Sequence, residues 1–280
     1  MRRVIASLLK RASPDLTSAL RLARAARARR NAAFVRTDDG FLFACDPGVG
    51  MAFEDPGESA VLRGALRECD VFVDVGANVG FQTCLALQHG KRVVAIEPLA
   101  QNLDYLYANL QANGWDDVEV FPLGLADRPA IATLHGRGAL ASLVDGWAHL
   151  HDPWTRPIPL STLDVLLRGR FTRERLLIKV DVEGAEAAVL AGAEETLSRA
   201  AATVWMMEVC LDEHHPDGVN PDFVRVFDVF WRHGYRARTV DGGGTRPVER
   251  ADVERWAARR SRDFGSANYV FARAPREVAP

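Results

Sequence analysis

The 280-residue sequence predicts an α/β fold, a mostly parallel sheet with helices on both faces. Three observations carry that prediction. VFVDVGANVG at 71–80 is an apolar strand that ends in an acid and runs straight into a glycine-punctuated turn. RVVAIEP at 92–98 repeats the pattern and ends on Glu97. RLLIKVDVE at 175–183 is a third such strand, released by Gly184 into a helical segment.

The elements follow in order. Phe34-Val35-Arg36 and Phe41-Leu42-Phe43 flank Thr37-Asp38-Asp39-Gly40, a hairpin pattern. A helix over 57–66 leads to the first sheet strand, and a helix over 81–89 to the second. The helix at 102–113 has Leu103, Leu106 and Leu110 on one face and is closed by Gly114. A strand at 118–123 ends in Gly124-Leu125-Ala126-Asp127. After the strand at 175–183 come a helix over 185–197, a strand at 203–210 and a helix at 222–233. Strands at 235–240 and 267–272 form an antiparallel edge. The segment 127–175 is far longer than a usual connection. It is expected to hold short strands at 131–134 and 158–160 and a helix capped near Ser161-Thr162 and running through Leu167. The organisation is therefore a basic helical extension at 1–33 and a single domain at 34–280, with a lid-like insertion around 128–174.

Composition narrows the function classes. A net charge of −2 gives no case for a nucleic-acid partner. Cys45, Cys69, Cys84 and Cys210 have no paired metal spacing and read as small buried hydrophobes of a reducing compartment. No apolar run reaches the roughly 18 residues of a membrane span, and no secretory signal is evident, so a cytoplasmic location is expected. Charge is uneven, however. Residues 1–30 hold nine Arg or Lys against Asp15 alone, with apolar residues at helical spacing and a helix start at Ser13-Pro14. Such an arm suits peripheral contact with an anionic membrane or an acidic partner, and equally a solvated helix on the domain's edge.

The chemistry concentrates at the strand ends. An acid about 20 residues beyond a first glycine turn takes ribose hydroxyls in Rossmann-like sheets, and Gly76 to Glu97 fits that spacing. The loop Gly76-Ala77-Asn78-Val79-Gly80 lacks a third glycine, and Asp74 precedes it. An acid there repels a pyrophosphate and suits a cationic ligand such as S-adenosylmethionine, with its ammonium and sulfonium. In the strand at 175–183, Lys179 and Asp181 share one face because the side-chain period is two, and Glu183 follows them. Buried charges persist only when paired or hydrogen-bonded, so the group is either a strand lock or a functional site.

These residues resemble the FkbM-type S-adenosylmethionine-dependent methyltransferases. VFVDVGANVGFQT, AIEPLAQNLDYLYANLQAN, STLDVLL, LLIKVDVEGAEAAVLAGA and WMMEVC stand in that family's order over roughly residues 58–240. The resemblance implies a class I methyltransferase fold: a Rossmann-like, seven-stranded, mostly parallel sheet with an antiparallel last strand. It implies that Asp74, Gly76, Asn78 and Gly80 border the methionine part of S-adenosyl-L-methionine, and that Glu97 binds the ribose. Leu125 and Asp127 would lie near the adenine and Asp181 at the boundary with the acceptor. Ala77, Pro98 and Asn102 complete the cofactor-binding set. The implied acceptor is a small molecule or glycan, a hydroxyl on a sugar, glycolipid or secondary metabolite.

An alcohol must lose its proton during attack. Asp181 is the first candidate base, Glu208 at the end of the fifth strand the second, and His214 of the pair His214-His215 the third. The insertion at 136–157 is expected to recognise the acceptor, with Trp147 and Trp154 as flat faces and His149, His151, Asp145 and Asp152 as hydrogen-bond partners. His149, His151 and Asp152 match no closed metal site; Asp181, Glu183 and Glu208 are oxygen donors of a kind that suits magnesium, but no metal is expected. Two other functions fit parts of the sequence. A nicotinamide-dependent oxidoreductase conflicts with Asp74 and the missing glycine. A non-catalytic methyltransferase-like binding module conflicts with the full set of expected glycines and acids.

Overall fold

A computed structural model describes residues 33–45, 56–149, 154–242 and 244–273. The basic arm before residue 33, His151, Asp152, Gly243 and the last residues, 274–280, lie outside the described residues.

The hairpin forms from β1 (Val35–Arg36) and β2 (Leu42–Phe43). Next come α1 (Pro56–Glu68), β3 (Val71–Val75), α2 (Phe81–Gln88), β4 (Arg92–Ile96), α3 (Ala100–Ala112) and β5 (Glu119–Phe121). The insertion supplies β6 (Gly124–Leu125), β7 (Ala130–His135), β8 (Thr155–Ser161) and α4 (Leu163–Leu167). The chain then returns as β9 (Leu176–Val180), α5 (Glu186–Ala191), α6 (Glu194–Ser198) and β10 (Thr203–Glu208). It finishes with α7 (Phe223–Arg232), β11 (Tyr235–Thr239), β12 (Pro247–Val248), α8 (Arg250–Arg259) and β13 (Asn268–Arg273).

The main sheet has the order β12-β11-β13-β10-β9-β3-β4-β5. The run from β10 to β5 is parallel. β3 and β9 lie at its centre and are buried along their whole lengths, which is why both read as apolar runs, broken by Asp74 and Lys179, which pair across the two strands. The seven expected strands are present, and the two-residue β12 adds an eighth at the edge. The last strand is not itself an edge: β13 inserts antiparallel between β10 and β11. Its side chains require that place. Tyr269 and Phe271 are fully buried, and Phe271 stacks on Phe230 of α7 with ring centroids 3.8 Å apart.

Two local departures from expectation have local causes. The helix predicted over 185–197 is broken into α5 and α6 at Gly192, where a Cβ would overlap the Ala126 carbonyl. Asp164 then restarts the helix, accepting hydrogen bonds from the Glu195 and Thr196 amides at 2.9 Å each. No element is expected at 244–260, yet α8 begins with a reciprocal cap between Glu249 and Asp252. The insertion forms its own sheet, β6-β8-β7, and α4 is capped by Thr162 as predicted, its Oγ1 accepting from the Val165 amide at 3.1 Å. No helix among the described residues is long and apolar enough to cross a membrane.

Candidate active site

The carboxyl ends of β3, β4, β9 and β10 open onto one cavity of about 460 Å³, within the range of small-molecule sites. At its floor the chain leaves β3 through Gly76, which has φ 85°, and a Cβ there would overlap the Asp181 carbonyl. The Gly76 and Ala77 amides both donate to the Ile96 carbonyl, at 2.9 and 3.0 Å, so the loop is clamped between the ends of β4 and β9. Glu97 then organises the next turn. Its Oε2 accepts from the Asn78 amide at 2.8 Å, and its Oε1 accepts from the Leu99 amide at 2.8 Å and Asn102 Nδ2 at 3.2 Å. Burial pushes the Glu97 carboxyl up to about 7 against the pull of those donors.

Gly76, Ala77, Asn78, Glu97, Pro98, Asn102, Leu125, Asp181, Glu208 and His214 all line this cavity. Three residues expected in the cofactor set do not. Asp74 is buried below the loop, within β3, where it pairs in register with Lys179 and accepts from Thr83 Oγ1 at 2.6 Å. It is not an acid at the mouth. Burial drives it up to about 6, against Lys179 and Thr83, which favour its charge. Gly80 starts α2 at φ 89° and faces Leu106, so its place is set by packing. Asp127 lies past the end of β6, where its side chain is half exposed and paired with Arg128 at 2.8 Å.

Charge is arranged in two layers. Lys179 is 2% exposed, with Nζ 2.8 Å from Asp181 Oδ2 and 3.3 Å from Glu58 Oε1. Burial opposes its charge, but Asp181 and Glu58 outweigh burial and hold the ammonium well above the usual lysine range. Asp181, Glu183 and Glu208 line the cavity in front of it. Glu208 is held well above the usual carboxylate range, first by the charge of Asp181, then by burial and by Glu183. Burial, then Asp181, pushes Glu183 up to about 8. Glu186, whose Oε1 accepts from the Gly184 amide at 3.0 Å, is driven up to about 7 by burial.

The insertion closes over this layer. Trp147 Nε1 donates to Glu183 Oε2 at 2.6 Å, Ser142 Oγ donates to the Glu183 carbonyl at 2.5 Å, and the Trp147 ring covers Gly184. Trp147 is 3% exposed, so it is a plug bonded to Glu183 and not a flat face for an acceptor. Trp154 lies outside the cavity lining, with the guanidinium groups of Arg137 and Arg156 over its ring. His214 lines the cavity beside Trp147, whereas His215 is buried.

Several lining residues went unread in the sequence: Glu58 of α1, Glu213, Arg262 and Asn268. Arg262 is ion-paired with Glu213. Asn268 lies opposite Glu208 in the β10–β13 register and is 8% exposed, with no hydrogen-bond partner for its Oδ1 among the described residues. None of them has a motif. Among the described residues no group of three or more His, Cys, Asp or Glu is arranged to hold a metal ion.

A parallel sheet with β13 inserted antiparallel, a glycine turn after the central strand, and an acid after the next one together define the class I methyltransferase architecture. A family model for the methyltransferase FkbM domain matches residues 74–237, more than half of the chain. The chain belongs to the FkbM methyltransferase family, and its cofactor is S-adenosylmethionine. No curated protein matches the chain. Similar solved structures include an O-methyltransferase from Bacillus cereus in complex with SAH, 15% identical, covering 80% of this chain and 84% of that one, with a TM-score of 0.44. A precorrin-6y C5,15-methyltransferase from Geobacter metallireducens GS-15 is 14% identical, covering 85% and 96%, with a TM-score of 0.43.

The residues present fit the cofactor. The cavity wall is acidic where a sulfonium and an ammonium need counter-charge, and Arg262, its cation among the described lining residues, is already paired.

Proposed function

We propose that the chain transfers a methyl group to a hydroxyl of an uncharged, hydroxyl-rich acceptor such as a sugar, glycolipid or secondary metabolite, with Glu208 taking the hydroxyl proton. One observation carries this reading. Of the two carboxyl groups first in line as base, Asp181 is bonded to Lys179 at 2.8 Å, while Glu208 makes no ion pair among the described residues. Lys179 occupies Asp181 and leaves Glu208 to exchange a proton. A carboxylate whose proton affinity is raised is also the stronger base once ionised.

S-adenosylmethionine supplies an activated methyl on a good leaving group. The chain's part is orientation, which can be worth roughly 7–11 kcal/mol, and removal of one proton. Glu97, Asn78, Pro98, Asn102 and Leu125 are assigned to hold the nucleoside, and the Gly76 loop with Asp181 to hold the methionine end. The acceptor wall is assigned to 210–214, the loop before β13 and the start of that strand, where Asn268 offers an amide to hydroxyls. The insertion adds Gly138, Ala139, Ala141 and Leu143, small and apolar. This wall carries carboxyl groups and a neutralised arginine, which favours an uncharged acceptor over an anionic one.

Labelled methyl from S-adenosylmethionine, followed by mass spectrometry of extracts of the source cell, tests the reaction. The expected product gains one methyl on oxygen; a methyl found only on nitrogen or carbon overturns the assignment. Against that product, Glu208→Gln should lower turnover about 10²–10⁴-fold at neutral pH and saturating S-adenosylmethionine. Asp181→Asn should instead weaken cofactor binding along with the rate, because Lys179 loses its partner. If the two variants behave alike, Glu208 is not the base.

Glu97→Ala should weaken S-adenosylmethionine and its demethylated product together, by about 1–3 kcal/mol in calorimetry. The ribose loses an acceptor, and the Asn78 and Leu99 amides lose theirs. Unchanged affinity would confine Glu97 to shaping the loop.

A further inference from the structure

The β9–β10 ladder ends on the Val180–Met207 pair, so Asp181, just past β9, and Glu208, the last residue of β10, stand side by side at roughly the 4.8 Å spacing of neighbouring strands. Both line the cavity, and Lys179 lies behind Asp181. Two carboxyl groups side by side in a partly buried wall resist ionising together unless a positive charge joins them. We propose that Glu208 holds a proton beside the Asp181–Lys179 pair in the ligand-free protein and gives it up when a cation enters the cavity. The base is thereby formed only once the charged methyl donor is bound.

The groups that face this pair come from every element around it. Glu58 of α1 and Asp74 of β3 are acids that share Lys179 with Asp181. Glu183 and Glu186 follow β9, and both are protonated more readily than ordinary carboxyl groups. Cys210 Sγ donates to Glu208 Oε1 at 3.6 Å, and its thiol is itself pushed up by burial. His214 lines the same wall, and Arg262 is paired with Glu213. The cavity therefore holds no unpaired cation among the described lining residues to ionise Glu208 without a ligand, which is the condition the device needs.

The charges balance through a turnover. Binding of the donor, which carries a sulfonium, sends one proton from Glu208 to solvent. During transfer the acceptor oxygen bonds to the methyl carbon as the carbon–sulfur bond breaks, the bonding pair stays on sulfur, and the hydroxyl proton goes to Glu208. Glu208 again holds a proton beside a neutral sulfur, so the neutral product loses the attraction that held the donor. This last part rests on Glu208 being the base; the binding part does not.

Titration calorimetry of the full chain in phosphate and in Tris counts the protons released. At pH 7.5 S-adenosylmethionine should release more protons, by up to one, than S-adenosylhomocysteine, which has the same amino acid end but no sulfonium. By linkage, the affinity ratio of donor over product should rise about tenfold per pH unit while Glu208 titrates. Glu208→Gln should abolish the difference and Glu183→Gln should preserve it. Equal proton counts for the two ligands, or a pH-independent affinity ratio in the unmodified chain, overturn the proposal without any variant. So does a difference that survives Glu208→Gln and disappears in Glu183→Gln. If the proton count holds but the methyl is found on an atom other than oxygen, the hydroxyl reading fails and the linkage stands.

Discussion

Gly76→Ala is expected to lower S-adenosylmethionine affinity about 100-fold or more and to lower the melting temperature as well. Two effects add at this position. A φ of 85° lies in the left-handed region, where a Cβ is disfavoured by about 1–2 kcal/mol. The added atom would also overlap the Asp181 carbonyl, which belongs to rigid backbone at the end of β9 and cannot swing aside like a side chain. Relief requires the ends of β3 and β9 to separate, and that separation moves the Gly76 and Ala77 amides off the Ile96 carbonyl and displaces Asp181 from Lys179. Gly90→Ala is the matched control. Gly90 has φ 69°, and nothing lies within 4 Å of a Cβ built there. It should lose stability from backbone strain alone and keep its affinity. Calorimetry and thermal melts of both variants check this, and wild-type affinity in Gly76→Ala would mean the loop does not contact the cofactor.

The parts of this site that were legible in the sequence are those set by local rules. A strand period of two places Lys179 and Asp181 on one face, and they are bonded at 2.8 Å. The spacing from Gly76 to Glu97 places both at one cavity because a single crossover helix joins two adjacent strands. What the sequence hid depends on register and on distant segments. Asp74 looks like an acid at a loop mouth, but the pairing of β3 with β9 turns it toward Lys179 and Thr83. Trp147 looks like a sugar platform because large aromatics on insertions are ambiguous; only its bond to Glu183, formed across 36 residues, shows it to be a plug. Glu58 and Asn268 enter the wall from opposite ends of the domain, and no spacing links them to β9 or β10. The place of β13 is likewise non-local, decided by which strand can bury Tyr269 and Phe271 against α7.

Lys179→Met is expected to destabilise the protein by about 3–5 kcal/mol at pH 8, the penalty for leaving buried carboxylates without their partner, and by clearly less at pH 5.5. Methionine fills much of the same volume, so the loss reports charge and not a cavity. The pH sign follows from the acids left behind. Burial already raises Asp74 from its ordinary 3.8 to about 6, even with Lys179 favouring its ionised form. A carboxyl whose folded value is raised makes the folded state the better proton binder between the two values, so its contribution to stability falls as pH rises through that window. Without Lys179 the folded value of Asp74 rises further, and Asp181 and Glu58 lose the same partner. The variant therefore binds a proton at Asp74 at pH values where the wild type has already lost it, and its penalty shrinks as pH falls. Lys179 itself adds no competing slope, because its raised folded value lies above the range tested and its contribution is fully present below the ordinary lysine value of 10.5. Urea unfolding of both proteins at pH 5.5 and 8 measures the two penalties. A penalty equal at both pH values, or larger at pH 5.5, would show that Lys179 is held by packing and does not compensate the acids around it.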